Sequence, residues 1–350
     1  MKIAKLLLND HAKFHFGDSS GDLKDHFSSD QLVSALMNNV VLLYGDKQLR
    51  EFTSLLREDH IHFSSIFYGL DFLSKQQNKN DVTIYFVPRP KVDFMSTEQH
   101  SVSYKEIKKI NYVSIKLLEK LSKSWNEEEE ACKFDFRSIV LIGKKFAVLR
   151  EEIADLECTE QELQSLRFLH FDSKPGVEVS RDLKKPGKFY FQEHLEVTFD
   201  ETKYYRVQPF MYFIIDGKLP VFLNAAIQLL ADEGIGGKRS LGKGFFHKIE
   251  WKETSYTLPQ KGRYFMNLST YFPKKEEAGK LYFYELEKRS GFVYSLGGKT
   301  VRKKSAMVIN EGSLFREKVK GDMINVEPEN FNHSVYLYGK SIFVGFGGKA

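Results

Sequence analysis

Cysteine is almost missing: the 350-residue chain has two, Cys132 and Cys158. Neither sits in a Cys-x-x-Cys pair, which excludes a zinc ribbon and leaves no disulfide framework. Long apolar runs are missing too. No stretch approaches the roughly 18 consecutive apolar residues of a membrane span. Residues 1–10 have only a short apolar run without a small-residue cleavage site, and read as a strand. A soluble, cytoplasmic protein is expected. No charge sign prevails either, since 52 Lys and Arg face 47 Asp and Glu for a net +5. That excludes a uniformly basic coat and leaves room for local basic patches that bind nucleic acid.

Aromatics are abundant, with 30 Phe and 17 Tyr. Most must be core, because each carries a large burial energy. The length exceeds one usual core, so two domains are expected, with a linker signal at Asp172-Ser-Lys-Pro-Gly176 and a division into residues 1–175 and 176–350. Ile3 to Leu8 reads as a first strand. Ser28-Ser-Asp30 caps a helix with Leu32, Val33, Leu36 and Val40 at helical spacing, and Gly45 ends it. Residues 61–69 and 82–87 read as strands, 104–125 as a basic amphipathic helix, 139–149 as extended and 159–166 as a short capped helix. Two strands (188–199 and 204–215), a helix (219–231) and several further strands follow. The order strand–helix–strand–strand–helix–strand in each half predicts an α+β protein of two ferredoxin-like, RRM-like domains in tandem.

One loop stands out. Residues 232–246 interleave five glycines (Gly234, Gly236, Gly237, Gly242, Gly244) with Lys238, Arg239, Ser240 and Lys243. Glycine permits close backbone approach and positive φ, and cations with free N–H groups suit a phosphate chain. Two nucleotide motifs are excluded. Residues 237–243 match a P-loop through its lysine, but Gly244 stands where Ser or Thr must hold magnesium, and the loop runs from helix to strand. Gly234-Ile-Gly236 lacks the third glycine of a Rossmann turn and follows a helix. A turn needing glycine for geometry alone accounts for Gly234, less well for five glycines among cations. A second basic segment runs from Ser180 through Arg181, Lys184, Lys185 and Lys188, with a Pro-Gly turn that suggests a protruding hairpin and Phe189, Tyr190 and Phe191 behind it. Of Tyr190 and Phe191 at least one is expected in the core. A third is Lys299 to Lys304, more often a solvated loop. His11/His15 and His60/His62 make no metalloprotease or metal set, so neither metal nor cofactor is expected.

Phe14-His-Phe-Gly17 with residues 28–36, residues 177–182, the glycine loop, and Tyr264-Phe-Met-Asn-Leu-Ser-Thr-Tyr-Phe-Pro273 together resemble the RAMP superfamily of CRISPR RNA-binding proteins. Residues 292–294, 302–305 and 312–315 extend the match. Within that superfamily the chain resembles the subunit of type III-A Csm complexes that caps the 5′ end of the guide RNA. The likeness runs from residue 3 to about 346 and is weakest over 88–130. It implies a non-catalytic subunit in antiviral defence that holds the 5′ tag of the crRNA. The implied partners are crRNA, the large polymerase-type subunit and the backbone RAMP subunit. The RNA-binding residues would be Gly234, Gly236, Gly237, Lys238, Arg239, Ser240, Gly242, Lys243, Gly244, Arg181, Lys184 and Lys185. The alternative is a metal-independent repeat-RNA endonuclease of the same superfamily, with His15 or His26 as general acid or base beside Lys13 or Lys24.

Overall fold

Ile3, Ala4, Lys5 and Leu6 of Lys2–Leu7 are all buried, so both faces of this strand are covered and it stands at the centre of the fold. It pairs antiparallel with Tyr205–Gly217 on one side and Lys248–Glu253 on the other. Tyr205–Gly217 pairs in turn with Phe67–Ser74. With the helix Ser29–Tyr44 after the first strand and Val221–Gln228 after the third, chain order is βαββαβ, and the sheet order is second, third, first, fourth. That is the ferredoxin-like arrangement. The computed structural model describes residues 1–17, 23–77, 79–97, 104–178, 188–253, 258–293 and 301–348.

A second, smaller sheet repeats the pattern. Its strands Tyr264–Asn267, Leu281–Phe283, Leu314–Phe315 and Phe343–Phe346 also stand second, third, first, fourth, all antiparallel. A 3₁₀ turn, Lys275–Lys280, and the hairpin of Asp322–Asn325 with Tyr336–Gly339 stand where the first unit has helices. The fold is thus α+β with two ferredoxin-ordered sheets. The expected division at 175/176 falls inside the strand Leu169–Glu178, and the first sheet draws strands from both sides of it. Residues 75–204 lie between its second and third strands; Val82–Pro88, Tyr112–Ser114, Phe146–Leu149 and Ile139–Ile142 extend that sheet sideways.

The period of two along a strand sends alternate side chains to opposite faces. Ala4 and Leu6 meet Leu32, Val33, Leu36 and Val40 of the first helix, all at most 1% exposed. Burying each such aliphatic side chain stabilises the fold by about 1.5–3 kcal/mol. Ile3, Phe67, Tyr85, Phe210 and Tyr212 take the other face and pack in one cluster with Tyr264, Met266 and Val344 of the second sheet. Lys5 lies on this face as well, 6% exposed, with its Nζ 2.6 Å from Asp71 and 3.9 Å above the Phe210 ring.

Two expectations fail locally. The helix expected over 104–125 is broken: Tyr104–Ile107 and Ile115–Lys123 are helical, with the strand Tyr112–Ser114 between them. Tyr112 and Val113 favour extended backbone, and the Ser114 hydroxyl accepts from Leu117 N–H, starting a new helix. The linker expected at 172–176 is strand instead, because ten residues of Leu169–Glu178 pair with Lys188–Val197. No described helix is long and apolar enough to cross a membrane.

Candidate nucleic-acid interface

Gly234 (φ +75°) ends the short helix Leu230–Glu233, and the glycine loop then folds onto the strand Ala12–Phe14 and the residues after it. Gly244 N–H donates to the Lys13 carbonyl at 2.7 Å, Gly237 N–H to the His15 carbonyl at 2.9 Å, and Ile235 N–H to the Gly244 carbonyl at 2.9 Å. A Cβ on Gly236 would stand 2.7 Å from the His15 carbonyl oxygen, and one on Gly244 2.3 Å from that of Ile235. Close approach therefore explains these glycines, and the N–H groups of Ile235, Gly237 and Gly244 are spent inside the protein. The exposed tip is Ser240–Gly242, where Gly242 (φ +77°) faces open space.

Buried Phe14 and Phe16 turn one side of residues 12–16 into the core, which leaves Lys13 and His15 on the other. There they meet the Leu169–Glu178/Lys188–Val197 hairpin. The ladder between the hairpin and Ala12–Phe14 stops at Leu195↔Phe14. The Glu193 carbonyl just beyond accepts from His15 Nδ1 at 3.0 Å and from Lys243 Nζ at 3.3 Å. Lys243 is only 7% exposed. Burial lowers its pKa, and Lys238, Lys13 and Lys174 lower it further. Burial likewise lowers the pKa of His15, against the Glu193 carbonyl bond, and Lys238 and Lys243 add to the lowering. His194 is lowered by burial and by Lys243 and Lys13. Positive charge gathers here, and Asp172, Glu193 and Glu196 offset it only in part, since Lys243, His15 and His194 all stay lowered.

Arg239 is placed differently: its Nη1 donates to the Glu233 carbonyl at 3.1 Å and lies 3.6 Å from the Glu233 carboxylate. Arg181, Lys184 and Lys185 lie outside the described residues. The described arms of the hairpin carry an apolar, solvent-facing surface. Phe189 and Phe191 are about 60% exposed with ring centroids 5.1 Å apart, and Val177 and Phe171 share their face. Tyr190, on the other face, is 43% exposed. The expectation that Tyr190 or Phe191 is core fails, because these arms project beyond the rest of the ladder. Phe245 is exposed and Phe246 buried, split between faces as a strand entry requires. Of the third basic segment, Lys299 lies outside the described residues, while Lys303 N–H donates to the Gly291 carbonyl and Lys304 N–H to the Val326 carbonyl.

RRM-type recognition stacks bases on sheet aromatics. Here Tyr85, Phe210 and Tyr212 of that face are buried under the second sheet, so that face is not open to a base. His26 does not stand ready as a general base. Its Nδ1 is 3.4 Å from Asp25 and its Nε2 3.5 Å from Glu311. Burial opposes its charge, yet these carboxylates outweigh it and raise the pKa to about 9. One grouping escaped the sequence: Asp172, His194 and Glu196 come together across the hairpin. A His-x-Glu pair on a strand hinted at it, but Asp172 needed the register.

The architecture is that of an α+β protein of two ferredoxin-ordered sheets with a basic glycine loop. Residues 260–346 match the family described as the CRISPR Csm4 C-terminal domain. The chain is 28% identical to the CRISPR system Cms protein Csm4 of Methanocaldococcus jannaschii over 390 aligned positions, covering 100% of this chain and 98% of the relative. The Csm4 protein of Streptococcus thermophilus is 32% identical over 129 positions, 35% of this chain and 43% of that one. The fold matches a chain of a crystal structure of a Csm3–Csm4 subcomplex of the type III-A CRISPR-Cas interference complex, with TM-score 0.63, 24% identity, and 99% and 100% of the two chains covered. A chain of a Csm1–Csm4 cassette in complex with pppApA matches with TM-score 0.54 and 18% identity over 99% and 97%. The chain is thus similar to Csm4 proteins along its whole length.

Proposed function

We propose that this chain is the non-catalytic crRNA-binding subunit of a type III-A Csm complex. It holds the 5′ tag of the crRNA between the glycine loop and the hairpin, and docks the large polymerase-type subunit and the backbone RAMP subunit. The observation that carries the reading is the crowding of Lys13, Lys174 and Lys238 about Lys243 and His15, where burial and the neighbouring lysines weaken the cationic forms of Lys243 and His15. A phosphodiester chain relieves that repulsion. Exposed Phe189 and Phe191 beside it offer rings on which a splayed base can stack. Lys238 and Lys243 hold phosphates, Ser240 and the Gly242 backbone meet the strand at the loop tip, and Gly234, Gly236, Gly237 and Gly244 shape the loop. Arg181, Lys184 and Lys185 add further cations for the RNA backbone, and Arg239 pins the loop through Glu233. We also propose that the first domain comprises residues 1–253 with 75–204 as its insertion, and the second residues 258–348.

Co-expression with a CRISPR array, followed by sequencing of the copurified RNA, tests this reading. Enrichment of crRNA with an intact repeat-derived 5′ tag is expected. Incubation of the purified chain with repeat RNA in EDTA is expected to leave it uncut, and a 2′,3′-cyclic phosphate product lost in His15→Ala would overturn the non-catalytic assignment.

A further inference from the structure

The hairpin carries a donor set that RNA binding does not use. Asp172 sits directly opposite His194 in the ladder, and Glu196 follows His194 by two residues on the same face. One oxygen of each carboxylate and one ring nitrogen of His194 lie within 4.8 Å of one another, the one such group among the described residues. His194 is 1% exposed, yet neither of its ring nitrogens has a hydrogen-bond partner. Leaving a buried polar group unsatisfied is destabilising, so the site is incomplete as protein alone. Its Nε2 is 3.7 Å from Asp172 Oδ2. Two ligands each ~2.1 Å from a tetrahedral zinc ion stand roughly 3.4 Å apart, so closure needs only a small adjustment.

We propose that Asp172, His194 and Glu196 bind a divalent transition-metal ion of the zinc class. A buried imidazole with two carboxylates suits zinc, whereas magnesium and calcium prefer all-oxygen shells. His11 Nδ1, 2.9 Å from Glu196 Oε1, orients that carboxylate. Lys13, Lys174 and Lys243 nearby oppose a cation, and the two carboxylates offset the charge of the metal itself. The ion links both arms of the hairpin beside Ala12–Phe14 and so fixes the hairpin against the glycine loop. This role is independent of what the groove binds.

The test uses the full, tag-free chain equilibrated with zinc chloride and desalted, with bound metal measured per chain. About one zinc per chain is expected, with a higher melting temperature in its presence. Cobalt in its place is expected to give the visible absorption of a tetrahedral site. Asp172→Asn and Glu196→Gln, both on partly exposed side chains, should each weaken binding by at least about tenfold, or ~1.4 kcal/mol. His194→Asn should abolish it. Wild-type protein that retains no zinc and gives no cobalt spectrum refutes the site. So does zinc retained equally by Asp172→Asn and Glu196→Gln, which would place the metal on exposed histidines elsewhere.

Discussion

Replacing Lys238 and Lys243 by Ala tests the groove where its charge is densest. Each phosphate contact to single-stranded RNA contributes about 0.7 to the slope of log affinity against log salt. Between about 1 M and about 0.1 M salt one contact is therefore worth ~0.7 log unit, or ~1 kcal/mol. Two contacts are worth ~2 kcal/mol, a roughly 25-fold loss at about 0.1 M that shrinks to roughly 2.5-fold at about 0.5 M. Fluorescence anisotropy of a labelled repeat-derived RNA across a salt series reads both numbers. Lys243 is buried and bonded to the Glu193 carbonyl, so Lys238→Ala alone, on a partly exposed side chain, separates charge from packing and should remove half of the slope change. Arg239→Ala is the control: its guanidinium is held by Glu233, and a smaller slope change than for Lys238→Ala is expected. A double variant whose affinity falls equally at both salt concentrations, or whose slope stays at the wild-type value, would refute the phosphate assignment.

Other expectations follow from the same geometry. Gly244→Ala places a Cβ 2.3 Å from the Ile235 carbonyl at φ +92°. It should destabilise clearly more than Gly242→Ala, which faces open space and should lose only the ~1–2 kcal/mol of a left-handed backbone; urea midpoints compare the two. Removing Asp71 strands the buried Lys5 ammonium, so Asp71→Ala should cost about 3–5 kcal/mol in denaturant unfolding. His26, raised to about 9, binds a proton more tightly folded than unfolded, where it titrates near 6.5. Its contribution is complete below pH ~6.5 and is lost as pH rises through about 9, up to ~3 kcal/mol; His26→Gln should flatten the stability–pH curve over that window.

The α+β order was legible where its cues are local, as where Ser28 and Gly45 bound the first helix. The interruption of the first unit by residues 75–204 was not, because only pairing at long sequence separation, such as Tyr205↔Ser74, shows where that sheet resumes. The glycine loop was legible as a feature, yet its glycines serve the Lys13–Phe16 backbone more directly than any ligand. Two other resembling segments changed meaning most. Ser28-Ser-Asp30 and Asn267-Leu-Ser-Thr270 meet in the interior: Ser29 Oγ accepts from Thr270 N–H at 2.9 Å, and Thr270 Oγ1 lies 3.1 Å from both Asp30 and Glu311. Ser269 Oγ donates to the Phe63 carbonyl at 2.8 Å. All five of these polar residues are at most 5% exposed. Buried polar groups need matched partners, and here each segment supplies the other's across the seam of the two sheets. Those motifs hold the second sheet over the aromatic face of the first. By closing that face they leave the proposed RNA site to the loop and hairpin, which stay outside the seam.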